Sequence, residues 1–125
     1  QQTTGADMSR AIYEVDRLGR RMEEFFDNFD LLMTPTMAVP AFPIDQRPGV
    51  IGGKTVDPFW GFLPFTYPIN ISGQTAASIP CGYSSDGMPI GLHIIGPRGS
   101  EAKVLQACAA FEKAMPWIGE RPGVS

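Results

Sequence analysis

The chain has 125 residues, of which 43% are hydrophobic and 18% charged, a composition that excludes a disordered chain. Its net charge of −3 gives no electrostatic reason to expect nucleic-acid binding. No apolar run is long enough to cross a membrane, and two cysteines are too few for a disulfide scaffold. We therefore expect a cytoplasmic protein with no nucleic-acid or membrane partner. The first residue, Gln1, is not a methionine, which favours a processed chain or a piece of a longer one.

The first segment has the periodicity of an amphipathic helix. Apolar or small residues recur at spacings of three and four positions: Ile12, Val15, Gly19, Met22 and Phe26. Oppositely charged residues lie four apart on the other face, and Thr4 with Asp7 offers a capping box at the start. These features predict a helix over about 7–28 with a solvated charged face.

A short apolar run and a long irregular stretch follow the helix. The run predicts a strand at about 31–34, buried on both faces and ended by Pro35. Residues 35–64 are rich in proline and glycine and show neither helical nor strand periodicity. Their aromatic residues argue against disorder, so we predict a long ordered loop whose aromatic side chains are partly exposed or held by a neighbouring molecule.

The rest of the chain alternates between helix and strand. Apolar runs bounded by turn residues predict two strands, and apolar periodicity predicts a final long helix. We place a short helix at about 65–73, strands at about 76–81 and 90–95, and a helix at about 100–115. The order α-β-loop-α-β-β-α over one domain, 1–125, indicates an α/β protein.

Four glycine and proline positions carry structural information. Gly73 is expected to end the short helix in a left-handed conformation. Pro80 and Pro89 are expected at strand ends, because proline donates no ladder hydrogen bond. Gly91 inside a strand predicts the close approach of a neighbouring backbone or side chain.

The sequence contains no self-contained catalytic set. A triad of Ser84 or Ser85 with His93 and Asp86 can be written, but no motif supports it, and a polar side chain on a strand face is the favoured interpretation of His93. Cys81 is favoured as a small buried residue rather than a nucleophile, because the chain has no second histidine to activate it. We expect no metal and no organic cofactor.

Two adjoining segments carry a resemblance to a known family. Residues Phe65–Gly82 contain an Asn-x-x-Gly helix end, an alanine-containing strand and a Pro-x-Gly turn. Residues Asp86–Pro97 continue the pattern, and Phe29–Thr36 supplies a buried strand with a Thr-Pro ending. The pattern resembles the C-terminal signature of the amidase signature family, and it covers most of residues 7–116.

This resemblance implies that the chain is a C-terminal fragment of an α/β/α fold with a mixed sheet. Members of the family resemble one another in a Ser–cis-Ser–Lys triad that hydrolyses amides through an acyl-enzyme. No stretch of this chain resembles the segment that carries that triad. The implied parent is an amidase for a small amide substrate, whose missing N-terminal part supplies the nucleophile, base and oxyanion hole. The isolated chain is therefore expected to be inactive.

Three positions depart from the family pattern. Thr75 stands where the family usually has proline, and His93 where it usually has glutamine. Leu63 occupies the place where the tRNA-dependent amidotransferase subunit carries a substrate-holding aspartate. The departure at Leu63 favours a general amidase over that subunit.

We assign one wall of the substrate pocket to four residues at the loop-to-helix junction, and we call them the pocket wall: Trp60, Phe65, Thr66 and Ile69. Pockets are mostly apolar surfaces with a few placed polar groups, which matches this set. Ordinary core packing is an equal alternative for each residue. A different interpretation of the whole chain is a stand-alone interaction module that packs on a partner through its aromatic loop. The uncovered strand edges and faces of a fragment also predict self-association.

Overall fold

The computed structural model describes residues 2–117 and 119, and in this part helices cover one main sheet. The elements in chain order are α1 (Gly5–Phe26), β1 (Leu32–Pro35), β2 (Val50–Ile51), β3 (Lys54–Thr55), α2 (Tyr67–Ser72), β4 (Thr75–Tyr83), β5 (Pro89–Gly96) and α3 (Glu101–Ala114). The α/β class is confirmed. Residues 1, 118 and 120–125 of the predicted domain lie outside the described part. In the described part, no helix combines the length and the apolar character that a membrane crossing needs.

Helix α1 begins at the capping box that the sequence offers. The Thr4 hydroxyl accepts a hydrogen bond from the Asp7 backbone N–H at 3.2 Å, and the Asp7 carboxylate accepts one from the Thr4 backbone N–H at 3.0 Å. The side chains of Arg20 and Asp16 form an ion pair four residues apart at 2.7 Å. The helix runs two residues earlier at each end than the predicted 7–28, which is the usual uncertainty of helix boundaries.

The apolar face of α1 is mostly uncovered in the described part of the chain. Gly19 is buried where α1 passes α2, but Met8, Ile12 and Tyr13 remain exposed. The cause is the length of α2, which has 6 residues against 22 in α1 and cannot cover the N-terminal turns.

The main sheet has the strand order β1-β5-β4, and both pairings are antiparallel. The parallel pairs of the mixed sheet implied by the resemblance are not among these strands. β5 is central, and its Ile94 and Ile95 have no exposed surface. The prediction that β1 is buried on both faces is wrong for this structure. Met33 is 56% exposed because α3 packs on β4 and β5 and leaves the edge strand open.

Strand β4 contains a proline in its interior. Pro80 pairs with Gly91, and the register shifts between Pro80 and Gly82, where the strand forms an irregularity. The expectation that Pro80 lies at a strand end is therefore wrong. β4 is an edge strand of the described sheet, and prolines are tolerated on edges and at bulges because no ladder donor is lost there. Pro89 begins β5.

The connection between β1 and α2 holds one small regular element. Strands β2 and β3 form a hairpin that turns at Gly52 and Gly53, both with positive φ (56° and 76°). The ring of Phe42 packs edge to face on Phe62 at a centroid distance of 5.2 Å. Aromatic contacts of this kind order the connection without a regular backbone pattern.

The two faces of β5 differ in their neighbours. A Cβ built on Gly96 would lie 2.9 Å from Val104 Cγ2, so this face packs against α3. His93 lies on the opposite face, and 6% of its surface is exposed. α3 thus packs on β4 and β5, whereas α1 packs against α2.

Candidate functional site

A run of backbone turns leads from Asp57 into α2 and positions Trp60. Asp57 Oδ1 accepts hydrogen bonds from the backbone N–H groups of Phe59 (2.7 Å) and Trp60 (3.0 Å). An aspartate that bonds the backbone ahead of it stabilises a tight turn. The Trp60 carbonyl then accepts from the Leu63 N–H at 3.0 Å. This arrangement leaves the Trp60 side chain at the surface, 64% exposed.

The Leu63 carbonyl fixes Thr66 at the start of α2. It accepts hydrogen bonds from the Thr66 backbone N–H (3.2 Å), the Thr66 hydroxyl (3.3 Å) and the Tyr67 N–H (3.3 Å). The hydroxyl is turned back to Leu63, so it makes no capping bond to α2. A threonine oxygen keeps two acceptor lone pairs after donating its proton. Thr66 is half-buried and offers the polar group that a pocket wall needs.

Ile69 lies in the core rather than at the surface. It is 7% exposed, and its carbonyl accepts from the Gly73 N–H at 3.0 Å where α2 ends. Gly73 has the left-handed conformation that its sequence position predicts, with φ 74°. Of the four pocket-wall residues, Trp60 is open to solvent, Phe65 and Thr66 are half-buried, and Ile69 is inside.

His93 is a buried polar residue of the central strand β5. Only 6% of its surface is exposed. Burial lowers the pKa of His93, and the nearby Phe65 backbone offsets part of that effect. Its Nδ1 is buried and has no partner within residues 2–117 and 119. The sequence predicted a polar side chain on a strand face, but it did not indicate that His93 would be buried there.

Two hydroxyl groups meet on the same face of the sheet as His93. Ser78 lies directly opposite His93 in the β4–β5 register, and its Oγ is 2.7 Å from the Thr36 Oγ1. A Cβ on Gly91 would lie 2.7 Å from both oxygens. The close approach predicted at Gly91 is therefore confirmed. Sequence periodicity did not identify Thr36 or Ser78, and Gly91 was the one signal of their contact.

The alternative Ser–His–Asp triad is not assembled. The Ser84 hydroxyl donates to the Asp86 carboxylate in the turn between β4 and β5. His93 lies opposite Ser78, and the five residues from Ser78 to Tyr83 span about 16 Å of strand. Serine and histidine are therefore too far apart for proton transfer. Cys81, half-buried, donates its thiol to the Ile90 carbonyl at 3.4 Å.

Two cavities in the described part of the chain are lined by residues other than the pocket wall. One of 450 Å³ is lined by Pro35, Met37–Phe42 and Pro89–Gly91, and it shares Gly91 with the hydroxyl pair. Another of 510 Å³ lies between the β4–β5 turn and Met115–Trp117. Neither is lined by a pocket-wall residue. The Trp60, Phe65 and Thr66 surface is therefore not enclosed by the described residues.

Comparisons with known protein sequences all match this chain to amidases and related amidotransferase subunits. A family profile described as Amidase matches residues 1–105. The chain is 32% identical over 126 residues to an acylamidase of Rhodococcus erythropolis, covering 100% of this chain and 26% of that protein. It is 40% identical over 102 residues to a subunit of the glutamyl-tRNA(Gln) amidotransferase of Thermodesulfovibrio yellowstonii, covering 80% of this chain and 20% of the relative.

Solved structures give the same result for the fold. A bacterial aryl acylamidase of the amidase signature enzymes superposes with a TM-score of 0.84 and 34% identity, covering 97% of this chain and 26% of that one. A 6-aminohexanoate cyclic dimer hydrolase superposes equally well, with a TM-score of 0.84 and 35% identity, covering 98% of this chain and 27% of that one. The chain thus spans about a fifth to a quarter of the length of these relatives.

Proposed function

The chain belongs to the amidase signature family, and on this basis we propose that it is the C-terminal part of an enzyme that hydrolyses amide bonds. In this proposal the chain supplies scaffold and the pocket wall, and the missing N-terminal part supplies the Ser–cis-Ser–Lys groups. A serine oxygen there attacks the amide carbonyl, the amine leaves, and water hydrolyses the resulting ester. We expect the isolated chain to have no amidase activity, because residues 2–117 and 119 assemble no activated nucleophile.

The observation that carries the proposal is the open, fixed surface at Trp60, Phe65 and Thr66. Trp60 is 64% exposed, although large aromatic side chains usually bury most of their surface. The Thr66 hydroxyl, held by the Leu63 carbonyl, follows Phe65 directly in the chain and keeps its acceptor lone pairs. An apolar surface with one placed hydroxyl suits the ring or alkyl part of a small amide. Ile69, the fourth pocket-wall residue, lies in the core behind the first turn of α2 rather than on this surface.

The accessible surface supports a larger partner structure. A folded monomer of 13.6 kDa exposes about 6,600 Å², whereas this chain exposes 9211 Å². The difference of roughly 2,600 Å² is surface that a compact protein would cover. We assign that cover to the missing N-terminal part of the same protein. In its absence, the uncovered apolar residues of α1 favour self-association.

The residue at position 63 bears on the substrate class, and the two cysteines bear on the cellular compartment. Leucine at position 63 cannot form the charge-assisted bond that an aspartate would, which favours a general amidase over the tRNA-dependent amidotransferase. Cys81 and Cys108 are both free thiols, in keeping with a reducing cytoplasm.

A chimeric enzyme tests the proposal. The last quarter of the Rhodococcus erythropolis acylamidase is replaced by this chain, and hydrolysis of aryl and aliphatic amides is measured. We expect the chimera to turn over amides, because the chain matches that part of the relative in fold and sequence. We expect Trp60→Ala and Thr66→Ala to raise KM by about tenfold each, the effect of losing about 1.4 kcal/mol of binding.

Three controls make the test decisive. The acylamidase without its last quarter and this chain alone should both be inactive. Tyr83→Ala in the chimera removes an exposed aromatic residue at the far end of β4 and should leave KM unchanged. Turnover by the isolated chain that disappears in Ser84→Ala or His93→Ala would refute the proposal.

One observation favours the interaction-module alternative. Ile44 is 89% exposed and Phe59, whose ring lies 4.6 Å from the Arg47 guanidinium carbon, is 62% exposed, so the loop presents apolar side chains other than the pocket wall as well. A module would use these residues to pack on a partner. In the chimera, Ile44→Ser with unchanged kinetics and unchanged stability would leave that loop surface free for such a role. Loss of folding in the same variant would assign Ile44 to contact with the rest of the enzyme.

A further inference from the structure

We propose that Arg98 is a positioning residue: it fixes the C-terminal end of α2 to the turn after β5 and thereby holds the pocket wall at the start of the same helix. The Arg98 Nη2 donates a hydrogen bond to the Ser72 carbonyl at 2.9 Å. The role of the pocket wall as a substrate surface rests on the proposed function. The contact between Arg98 and Ser72 is independent of any substrate.

The strand register places Arg98 beside the end of α2. Thr75 is paired with Gly96 at the end of the β4–β5 ladder. Two residues beyond this pair, the same antiparallel register brings position 73 opposite position 98. The structure shows this proximity, because a Cβ built on Gly73 would lie 3.3 Å from Arg98 Nη2 and 3.4 Å from Arg98 Nε. Gly73 therefore serves both the left-handed end of α2 and the close approach of the guanidinium.

The Ser72 carbonyl needs a donor from outside the helix. α2 ends at Ser72, and the last carbonyls of a helix have no partner within it. Ser72 is 2% exposed, so water has little access to this group. The Gln74 Nε2 lies 3.5 Å from the same carbonyl, which is a long hydrogen bond, so Arg98 supplies the shorter one. Since an unpaired buried carbonyl is costly, Arg98 is the main stabilising partner at this end of α2.

The positive charge of Arg98 strengthens this contact. Within residues 2–117 and 119, the guanidinium forms no ion pair with a carboxylate. The C-terminus of a helix carries a partial negative charge, and a hydrogen bond from a charged donor is stronger than one from a neutral donor. The charge of Arg98 is thus directed at α2 rather than at an acidic side chain.

The backbone that carries Arg98 is itself fixed. The Pro97 carbonyl accepts hydrogen bonds from the Ser100 N–H at 3.2 Å and from the Ser100 hydroxyl at 2.6 Å, which closes a tight turn around Arg98. Gly99 lies in this turn with a φ of 75°. The turn joins the central strand β5 to α3. Arg98 therefore connects the end of α2 to the buried centre of the sheet.

The short helix carries this constraint to the pocket wall. The Asn70 N–H donates to the Thr66 carbonyl at 3.0 Å, and the Gly73 N–H donates to the Ile69 carbonyl at 3.0 Å. These bonds connect Thr66 at the start of α2 to Gly73 at its end. A helix of 6 residues is not stable without tertiary contacts, so the loss of a contact at its end loosens its first turn as well.

Amide hydrogen exchange of the 125-residue chain tests the contact. Arg98→Met keeps a long unbranched side chain and removes every donor. We expect about tenfold faster exchange at the Asn70 and Gly73 amides, the effect of losing one hydrogen bond. Arg98→Lys keeps a charged donor without the planar guanidinium and should restore part of the protection. Lys103→Met is the matched control, because it removes a cation that is paired with Asp30 rather than with α2, and it should leave both amides unchanged.

Kinetics in the chimera distinguish positioning from a structural role. Arg98→Met should raise KM by about fivefold and leave kcat unchanged, because a displaced pocket wall binds the substrate less well. A variant that only unfolds part of the enzyme lowers the rate per total enzyme and leaves KM unchanged. In the Thr66→Ala background, Arg98→Met should change KM much less, because a group that Arg98 positions is already absent.

A measurement on the unmodified chain needs no variant and remains decisive if Arg98→Met does not fold. Rotation of the guanidinium Nη groups, measured by NMR, should be slow at Arg98 and fast at Arg10, an exposed residue of α1. Fast rotation at Arg98 would refute the proposal.

The remaining outcomes are equally specific. Unchanged exchange in Arg98→Met, equal acceleration in Lys103→Met, or a lower kcat with unchanged KM would overturn the positioning role. If exchange behaves as expected but Trp60→Ala and Thr66→Ala leave KM unchanged in the chimera, then Arg98 holds α2 and the proposed pocket wall is wrong.

Discussion

The hydroxyl oxygens of Thr36 and Ser78 lie 2.7 Å apart although the two residues are 42 positions apart in the chain. They meet above Gly91, whose missing side chain leaves the space that both oxygens occupy. This contact joins the two edge strands across the central one. The glycine is thus a packing requirement of the sheet rather than a point of flexibility.

Gly91→Ala should destabilise the chain by about 1–3 kcal/mol, because the new Cβ overpacks the sheet. Its Cβ would lie 2.7 Å from each hydroxyl oxygen, closer than packed side chains tolerate. Denaturant unfolding followed by circular dichroism measures the change. Gly49→Ala is the control, since no atom lies within 4 Å of a Cβ there, and its effect should be small. Equal stability of the two variants would contradict the close contact.

Thr4→Ala should destabilise α1 by about 1 kcal/mol, the usual value of an N-cap side chain. It removes the acceptor for the Asp7 N–H and the hydroxyl that donates to the Asp7 carboxylate. The pKa of Asp7 is lowered chiefly by its hydrogen bonds to Thr4, so it should rise toward 3.8 in this variant. Carboxyl NMR titration checks the pKa, and helical circular dichroism checks stability. Ser9→Ala, which removes only a bond to the Gly5 carbonyl, should change neither.

The free energy of unfolding should decrease as the pH falls below 6.5. Burial lowers the pKa of His93 from 6.5 in the folded state, so the unfolded chain binds the proton first. Well above pH 6.5, His93 is neutral in both the folded and the unfolded state, so its contribution to the free energy of unfolding is constant. As the pH decreases from 6.5 to the lower pKa of the folded state, the free energy of unfolding decreases as well. Denaturant unfolding of the wild-type chain and His93→Gln measures the slope, and only the variant should lack it.

A second loss of stability should follow in more acidic solution. Hydrogen bonds and a charge pair lower the pKa of Asp7, Asp30 and Asp86 below 3.8, so their stabilising contribution is present above that value and is lost as they are protonated. These carboxylates are exposed and solvent-screened, so we expect a shallow effect. His93→Gln should retain this acid-range loss unchanged. Its disappearance in that variant would show that the two ranges are not independent.

The isolated chain should self-associate at micromolar concentration, because the N-terminal turns of α1 expose an apolar face. Sedimentation velocity measures the distribution of species. Ile12→Glu places a charge in the centre of that face and should shift the chain to monomer. Arg10→Gln changes the net charge by the same amount on the same helix and should leave association intact. A wild-type monomer of 13.6 kDa that unfolds cooperatively would contradict this prediction.

Features of the fold that depend on neighbouring residues in the sequence were predictable. Features that depend on packing against elements distant in the sequence were not. The left-handed end at Gly73 and the close approach at Gly91 follow from the backbone freedom and small size of glycine. The exposure of Ile12 depends on the length of α2, and the place of Pro80 depends on β4 being an edge strand. Neither is a property of the local sequence.

In the candidate site, too, the local features were predictable from the sequence and the contacts between distant residues were not. The composition of the loop-to-helix junction predicts Phe65 and Thr66 as pocket-wall residues, and the structure adds the hydrogen bonds that Thr66 makes to the Leu63 carbonyl. No residue pattern links position 98 to position 72 at the end of α2, because the Arg98 side chain donates to the Ser72 backbone carbonyl, a group that every residue possesses. A side chain that binds a backbone carbonyl places little restriction on the identity of its partner. Such contacts leave little trace in a sequence.

The pairing of β1 with β5 has a consequence for the order of folding. β4 and β5 are joined by a short turn, so their hairpin closes at little entropic cost. Pairing of β1 with β5 closes a much longer loop, which contains the connection from β1 to α2 as well as α2 and β4. The entropy of that closure grows only with the logarithm of loop length, so residues added between β1 and α2 change it little. The β4–β5 hairpin is therefore the expected nucleus, and the connection before α2 is the place where the chain can lengthen at small cost to either folding rate or stability.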